Sequence, residues 1–514
     1  MQRYDTIVVG AGHNGLVCAA SLAKAGQSVL VLEASDGPGG LAGTYEFHPG
    51  YRASLAHSMA HFSPKVTQEL NLTRFGFDDG ARPLALVGLD REGNHVVVEG
   101  EAMRGASDRD ASAFKQFVAD LSRFASALSP FWEKTMPRLS DRSLRGLSTF
   151  AQLGLNLRRL GKQDMAEFLR IASLCARDLV DERFEQELVK AMLCWDGLIG
   201  ARMAPRSPNS AVLAMLYRAG SDFHGAHRMG TGGVRALVYA IAAAAEDAGA
   251  QIRYDSPVAR ITLDNTRVGL RATGVALTSG ETIDADRVVS ATDPKRTFRD
   301  LVGFANLDIG FANRTHRLRS DGLVGKLHLA LRERPTFARL EDSDGRLLIA
   351  PSLDAIEFAY DEAKYGEPSQ HPVIEITLPS VHDAALAPQG HHVLSAHVMY
   401  VPYKHRHGWS DGARDALRDS AISTIEAYAP GLRELIVGAQ MLTPQDIEQQ
   451  FHVTGGHWHH AEFAMDQMLM MRPTYDAAQY RCPIENLFLS SAGCHPGGDL
   501  VGSVGLNAAR EILR

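Results

Sequence analysis

Tyr4-Asp5-Thr6-Ile7-Val8-Val9-Gly10-Ala11-Gly12-His13-Asn14-Gly15 is the stretch on which the fold class turns. Thr6 to Val9 is a β-branched run that reads as a buried strand, and Gly10-x-Gly12-x-x-Gly15 follows at once into an Ala-rich helix predicted over 16–25. A second apolar strand, Val29 to Leu32, ends in Glu33, roughly 20 residues past the glycines, which is the spacing of a dinucleotide-binding fingerprint. Gly10 allows the tight turn, Gly12 lets the backbone approach a pyrophosphate, and Gly15 lets helix and strand pack closely. The helix N-terminus offers unpaired N–H groups and a positive dipole end to phosphates. Glu33 is placed to accept hydrogen bonds from a ribose. Gly-rich turns also occur for structural reasons alone, but this one has a strand before it, a helix after it and an acid beyond the second strand.

The continuation Glu33-Ala34-Ser35-Asp36-Gly37-Pro38-Gly39-Gly40 resembles the acid-then-paired-glycine pattern of the flavin amine oxidases and phytoene desaturases. That resemblance implies non-covalent FAD, with Gly39 and Gly40 passing close to the diphosphate and ribityl chain.

At 514 residues the chain is long enough for two or more domains. Its 45% hydrophobic and 22% charged residues are those of an ordinary globular protein, and a net charge of −7 gives no support to nucleic-acid binding. No apolar run reaches membrane-spanning length. The first strand begins so early that a signal or transit peptide has no room before it, so a cytoplasmic location is expected. Five scattered cysteines include no CxxC pair and no zinc-ligand spacing, consistent with a reducing compartment and buried thiols.

His57 and His61, four apart, would share one face of a helix. Without a carboxylate motif beside them they read as packing or substrate contacts, and no metal site is expected. From about 108 to 217 the pattern is helical, as in Phe114, Phe117, Val118, Leu121, Phe124 and Leu128, and looks like an inserted substrate domain. Within it, Leu144 to Lys162 alternates leucines with Arg145, Arg158, Arg159 and Lys162. Such a segment either lies on a membrane surface or is a solvated helix over its own core.

His227 to Gly233, a helix over 234–248, and strands ending at Ala285 to Pro294 resemble the second FAD-contacting segment of the same family. The resemblance puts Val258 beside the adenine. Leu323 to Leu331 alternates as a strand, with Lys326 and His328 on one face. That face is either solvated or, by resemblance of Gly325-Lys326-Leu327-His328 to an amine-oxidase strand, carries a lysine that binds a water at flavin N5. Thr454 to Glu462 crowds His457, Trp458, His459 and His460 behind two glycines. Ser490 to Asp499, with Gly493 and His495-Pro496-Gly497-Gly498, leads to a closing helix from about Gly505. It resembles the C-terminal flavin motif of phytoene desaturases, where a helix N-terminus at O2 stabilises the anionic reduced flavin.

The resemblance to FAD-dependent phytoene-desaturase-like and amine-oxidase-like oxidoreductases therefore spans the chain. The run Gly455 to Glu462, Asp466-Gln467, Arg472-Pro473 and His495 to Gly498 looks like the group named pyridine nucleotide-disulphide oxidoreductase domain-containing protein 2, although no disulphide motif is present. It implies an α/β fold with a discontinuous Rossmann-type FAD domain (1–65, 225–300 and 478–514) and an α+β substrate domain (66–224 and 301–477). Gly10, Gly12, Gly15, Glu33, Gly39, Gly40, Val258, Gly493 and Gly505 are the expected FAD contacts. Lys326, His457, His459 and His495 are the candidate catalytic groups. Leu41 stands where many relatives carry Arg, and Asp499 where desaturases usually have a small or apolar residue. Both departures point away from a C40 carotenoid. The expected activity is removal of a hydride and a proton from a C–N or C–C bond of a small or lipophilic molecule, with amine oxidation favoured. The alternatives are a polyene desaturase in peripheral contact with a membrane and a non-catalytic FAD-binding partner protein.

Overall fold

The computed structural model describes residues 3–60, 62–78, 83–208, 211–220, 226–267 and 269–514. Strand β1 (Tyr4–Val9) turns at Gly10, where φ is +103°, into helix α1 (His13–Lys24), and β2 (Val29–Leu32) follows. The chain then leaves for a helical region that includes α2 (Leu144–Arg159) and α3 (Ala211–Ala219). It returns through α4 (Gly233–Asp247) to β3 (Gln251–Arg253), β4 (Val258–Thr266), β5 (Gly269–Leu277) and β6 (Thr282–Ser290). A second sheet contains β7 (Val324–Leu331), β8 (Ile374–Thr377) and β9 (His392–Met399), and the chain closes with β10 (Leu487–Leu489) and α5 (Ser503–Ile512).

The first sheet has the order β3-β2-β1-β6-β5-β4, with β10 parallel to β6. The central parallel strands β1, β2 and β10 are largely buried, with α1 packed against β1, β2, α4 and α5 and with Val8, Val31, Val288 and Leu489 fully buried, whereas the edge strand β3 is polar and mostly exposed. Ligands of such open sheets bind beyond the carboxyl ends of the strands. Here those ends are Gly10, Glu33 and Ala291.

The second sheet has eight strands, with β7 between β9 and Ile436–Leu442 and with β8 on the far side of β9. Register places Lys326 opposite His397, and His397 opposite Glu375, so three charged or ionisable side chains stand abreast across β7, β9 and β8. The face carrying Lys326 and His328 is not solvated: both are buried, as is all of β7. His57 covers Lys326, and the rings of Tyr45 and Phe47 cover His328.

Helix α2 is largely exposed, with Leu157 packed against the core. Of its residues only Gly146 and Thr149 are buried, while Leu144 is 89% exposed and Leu147 and Leu155 are about half exposed. Among the described residues no helix is long and apolar enough to cross a membrane.

Candidate active site

A cavity with about 1500 Å³ of space outside protein atoms, part of it open to solvent, is lined by segments belonging to both sheets. Gly10, Gly12, Gly15, Glu33, Gly39, Gly40 and Val258 all line it. A Cβ on Gly12 would meet no atom within 4 Å, whereas one on Gly15 would lie 2.4 Å from the Gly10 carbonyl oxygen. Gly12 thus leaves open space toward a ligand, and Gly15 is required by helix–strand packing. Gly12→Ala is expected to leave the urea midpoint of the flavin-free protein unchanged and to weaken FAD binding. Gly15→Ala should instead destabilise the protein by about 1–3 kcal/mol through overpacking. Equal stability losses in the two variants would refute this division.

The N-terminus of α1 has no side-chain cap, and both polar atoms of the Asn14 amide and Nε2 of His13 are buried without a hydrogen-bond partner among the described residues. Open backbone donors, an uncommitted amide and a glycine cradle suit a dinucleotide diphosphate. Glu33 Oε2 accepts from the Ala11 N–H at 2.6 Å, and Oε1 accepts from the Ser35 N–H and hydroxyl at 3.0 and 2.9 Å. A carboxylate has about four lone-pair sites, so room remains for one ribose hydroxyl. Glu33→Ala is expected to weaken FAD binding about 10–100-fold, the worth of a hydrogen bond to a charged group. Unchanged affinity by flavin fluorescence would remove Glu33 from the site.

Gly493 and Gly505 do not line the cavity. A Cβ on Gly493 would strike Pro294 at 2.5 Å, and one on Gly505 would strike the Asn14 carbonyl at 2.2 Å, so both are packing glycines and Gly505 lets α5 lie against α1. Of the candidate catalytic groups only His459 reaches the cavity wall. His495 is buried, with Nε2 donating to the Phe131 carbonyl at 2.9 Å, and His457 is buried behind its neighbours. Lys326 does not line the cavity either. Its Nζ donates to His57 Nδ1 at 3.0 Å, and His57 lies on the wall. His57 sits in a loop rather than on a helix, because residues 54–60 form no helix; His61 lies outside the described residues.

His57 begins a buried chain of charges. Its Nε2–H donates to Glu375 Oε1 at 2.9 Å, and because an ionised carboxylate only accepts, Nδ1 is left as the acceptor for Lys326. Glu375 Oε2 also accepts from Trp195 Nε1 at 2.5 Å and Arg346 at 2.7 Å, and Arg346 donates onward to Asp196 at 2.5 Å. Arg218 donates to the Asp196 carbonyl and, through Nε, to Asp499 at 3.2 Å, while His459 Nε2 lies 3.5 Å from Asp499. Burial opposes ionisation of Glu375, Asp196 and Asp499. Burial is the largest single influence, but the partners together outweigh it, Arg346 with His57 at Glu375, Arg346 with His227 and Arg218 at Asp196, and Arg218 with His459 and His227 at Asp499, and hold all three well below the carboxylate range. Burial pushes Lys326 well below its ordinary value and drives His57 down to about 3.

His57, Glu375 and His397 bring ligand atoms within 4.8 Å of one another. The imidazoles stack with centroids 3.7 Å apart and planes at 28°, so their in-plane lone pairs do not converge, and both His57 nitrogens are engaged. This is a stacked wall, continued by Trp458 at 4.6 Å from His397, and not a metal cage.

The pairing of Arg218, Glu375, Asp196 and Arg346 escaped the sequence reading. The available signal was a single charge inside an apolar run, Glu375 between Ile374 and Ile376 and Arg218 in α3, since buried charges are almost always paired.

Residues 15–513 match the family of flavin-containing amine oxidoreductases. The chain belongs to that family. Across its whole length it is 32% identical to the rat protein called pyridine nucleotide-disulfide oxidoreductase domain-containing protein 2, covering 94% of it. It is 26% identical to a lycopene-forming phytoene desaturase of Paracoccus sp., over 97% of this chain and 95% of that one. Cyclohexylamine oxidase from Brevibacterium oxydans shares the fold, with a TM-score of 0.58 at 16% identity and full coverage of both chains. This flavin-containing amine oxidoreductase is an FAD-dependent enzyme with the α/β fold of its family, and the glycine cradle, Glu33 and the bare α1 terminus are the residues that fit FAD.

Proposed function

We propose that the protein oxidises an amine at its C–N bond, the substrate losing a hydride from carbon and a proton from nitrogen to leave an imine. When bound, FAD supplies the two-electron acceptor. The observation that carries the reading is the charge balance behind the substrate wall. Along the ion-paired chain from Glu375 to Asp499 three carboxylates, Asp196, Glu375 and Asp499, face two guanidiniums, Arg218 and Arg346, with His227 3.5 Å from Asp196, while burial drives Lys326, His57, His397 and His459 toward their neutral forms. A wall of that balance has an excess of negative charge and attracts a basic nitrogen, whereas a hydrocarbon gains nothing from it. Trp458 and the stacked His397 add flat surface for the carbon skeleton. In anaerobic mixing of the holoenzyme with panels of amines and polyenes, amines are expected to bleach the visible flavin bands. No bleaching by any primary or secondary amine, together with bleaching by polyenes, would reverse the assignment.

The exposed leucines of α2 beside Arg145, Arg158 and Arg159 favour a second reading, dehydrogenation of a lipophilic polyene by an enzyme in peripheral contact with a membrane. Sedimentation with anionic liposomes tests it, and protein left wholly in the supernatant would remove its support.

A further inference from the structure

The nucleotide half of the cavity is walled by Gly10 to Gly15, Leu32 to Ala34, Gly39 to Leu41, Val258 and the segment 291–296. Its charged side chains are Glu33, Asp293 and Arg296. FAD brings the negative charges of a diphosphate into this half, where two carboxylates already stand and where the α1 terminus supplies only about half a positive charge. Leu41, at the position where the sequences it resembles carry Arg, lines the cavity without adding any charge.

We propose that Arg296 is a phosphate ligand of the bound dinucleotide. Arg296 is half-buried and lines the cavity two residues beyond Pro294, at the start of a helix, Arg296–Gly303, wound with π-type hydrogen bonds. Such turns are rare and frequently mark functional sites. Among the described residues no carboxylate lies within 4.0 Å of its guanidinium to form an ion pair. Asp293, the acid beside it, is otherwise engaged: Oδ1 accepts from the Arg296 backbone N–H at 2.9 Å, and Oδ2 accepts from the Thr454 N–H and hydroxyl at 3.0 and 2.9 Å. Asp293 thus anchors the backbone and leaves the Arg296 fork free to donate to an oxyanion. Arg218, the other guanidinium on the cavity wall, is spent on Asp499 and the Asp196 carbonyl. A planar guanidinium matches phosphate oxygens bidentately.

The inference rests on FAD as the cofactor and is independent of which substrate is oxidised. Its test is equilibrium displacement of FAD from the holoenzyme by ADP and by adenosine, read by flavin fluorescence, in the wild type, R296Q and R296K. R296Q is expected to weaken FAD and ADP about 10–100-fold, the range for a hydrogen bond to a charged group, and to leave adenosine affinity unchanged. R296K, which keeps the charge and loses the fork, should fall between. Wild-type FAD affinity in R296Q, or equal losses for ADP and adenosine, would overturn the assignment. If R296Q does not accumulate as folded protein, R296K carries the test alone: an unchanged ratio of ADP to adenosine affinity overturns it.

Discussion

Between pH 7 and pH 5 the protein is expected to lose a large part of its stability. Burial holds His13, His57 and His460 neutral down to about 3 in the folded chain, against an ordinary value of 6.5. Below 6.5 the unfolded chain binds protons that the folded chain refuses, so stability falls as pH drops and the loss levels off only near the folded values. Each group costs about 1.4 kcal/mol per pH unit over that window, or about 2 kcal/mol at pH 5 and about 6 kcal/mol for the three. Whole-protein stabilities are about 5–15 kcal/mol. Glu375, Asp196 and Asp499 do not add to this slope, because carboxylates with lowered values keep their stabilising effect above the unfolded range and lose it only in stronger acid. Urea unfolding of the holoenzyme at pH 7, 6 and 5 checks the result, and His460→Gln should make the dependence shallower by one group. A urea midpoint constant across this range would mean that the imidazoles are not held neutral.

Glu375→Ala is expected to cost about 3–5 kcal/mol, the usual penalty for removing one partner of a buried ion pair. The carboxylate is the common acceptor of Arg346, Trp195 and His57, and all three are buried. Without it Arg346 keeps only Asp196, and two buried N–H groups lose their acceptor. Glu375→Gln preserves volume but turns an amide NH2 toward at least one of those donors, so it should recover little. Chemical denaturation of both variants decides the matter; stability within about 1 kcal/mol of wild type would show that the network contributes less than a buried pair normally does.

The glycine turn and Glu33 were legible because their requirements are local: the turn, the close approach and the acid lie within one strand–helix–strand unit. Alternation places Lys326 on its strand but says nothing of its surroundings, since it reveals which residues share a face and not what covers that face. In this protein the cover is His57, distant in sequence, which interposes itself between Lys326 and the cavity. Gly493 and Gly505 were assigned to the cofactor by position in a motif, whereas the atoms they must avoid belong to Pro294 and Asn14. The chain from His57 to His459 is illegible as a unit because it is assembled from seven separated segments, around residues 57, 196, 218, 346, 375, 459 and 499, which only the folded chain brings into contact.

The placement of β10 and α5 has a consequence for how the protein is made. β1 and β2 are synthesised long before the strand that pairs with β6 and the helix that covers α1, Leu487–Leu489 and Ser503–Ile512. Until α5 is in place, α1 exposes the surface on which Gly505 and its neighbours pack. The glycine fingerprint therefore depends for its finished packing on a strand and a helix encoded more than 440 residues away, so the unit that reads as local in sequence is completed by a distant one.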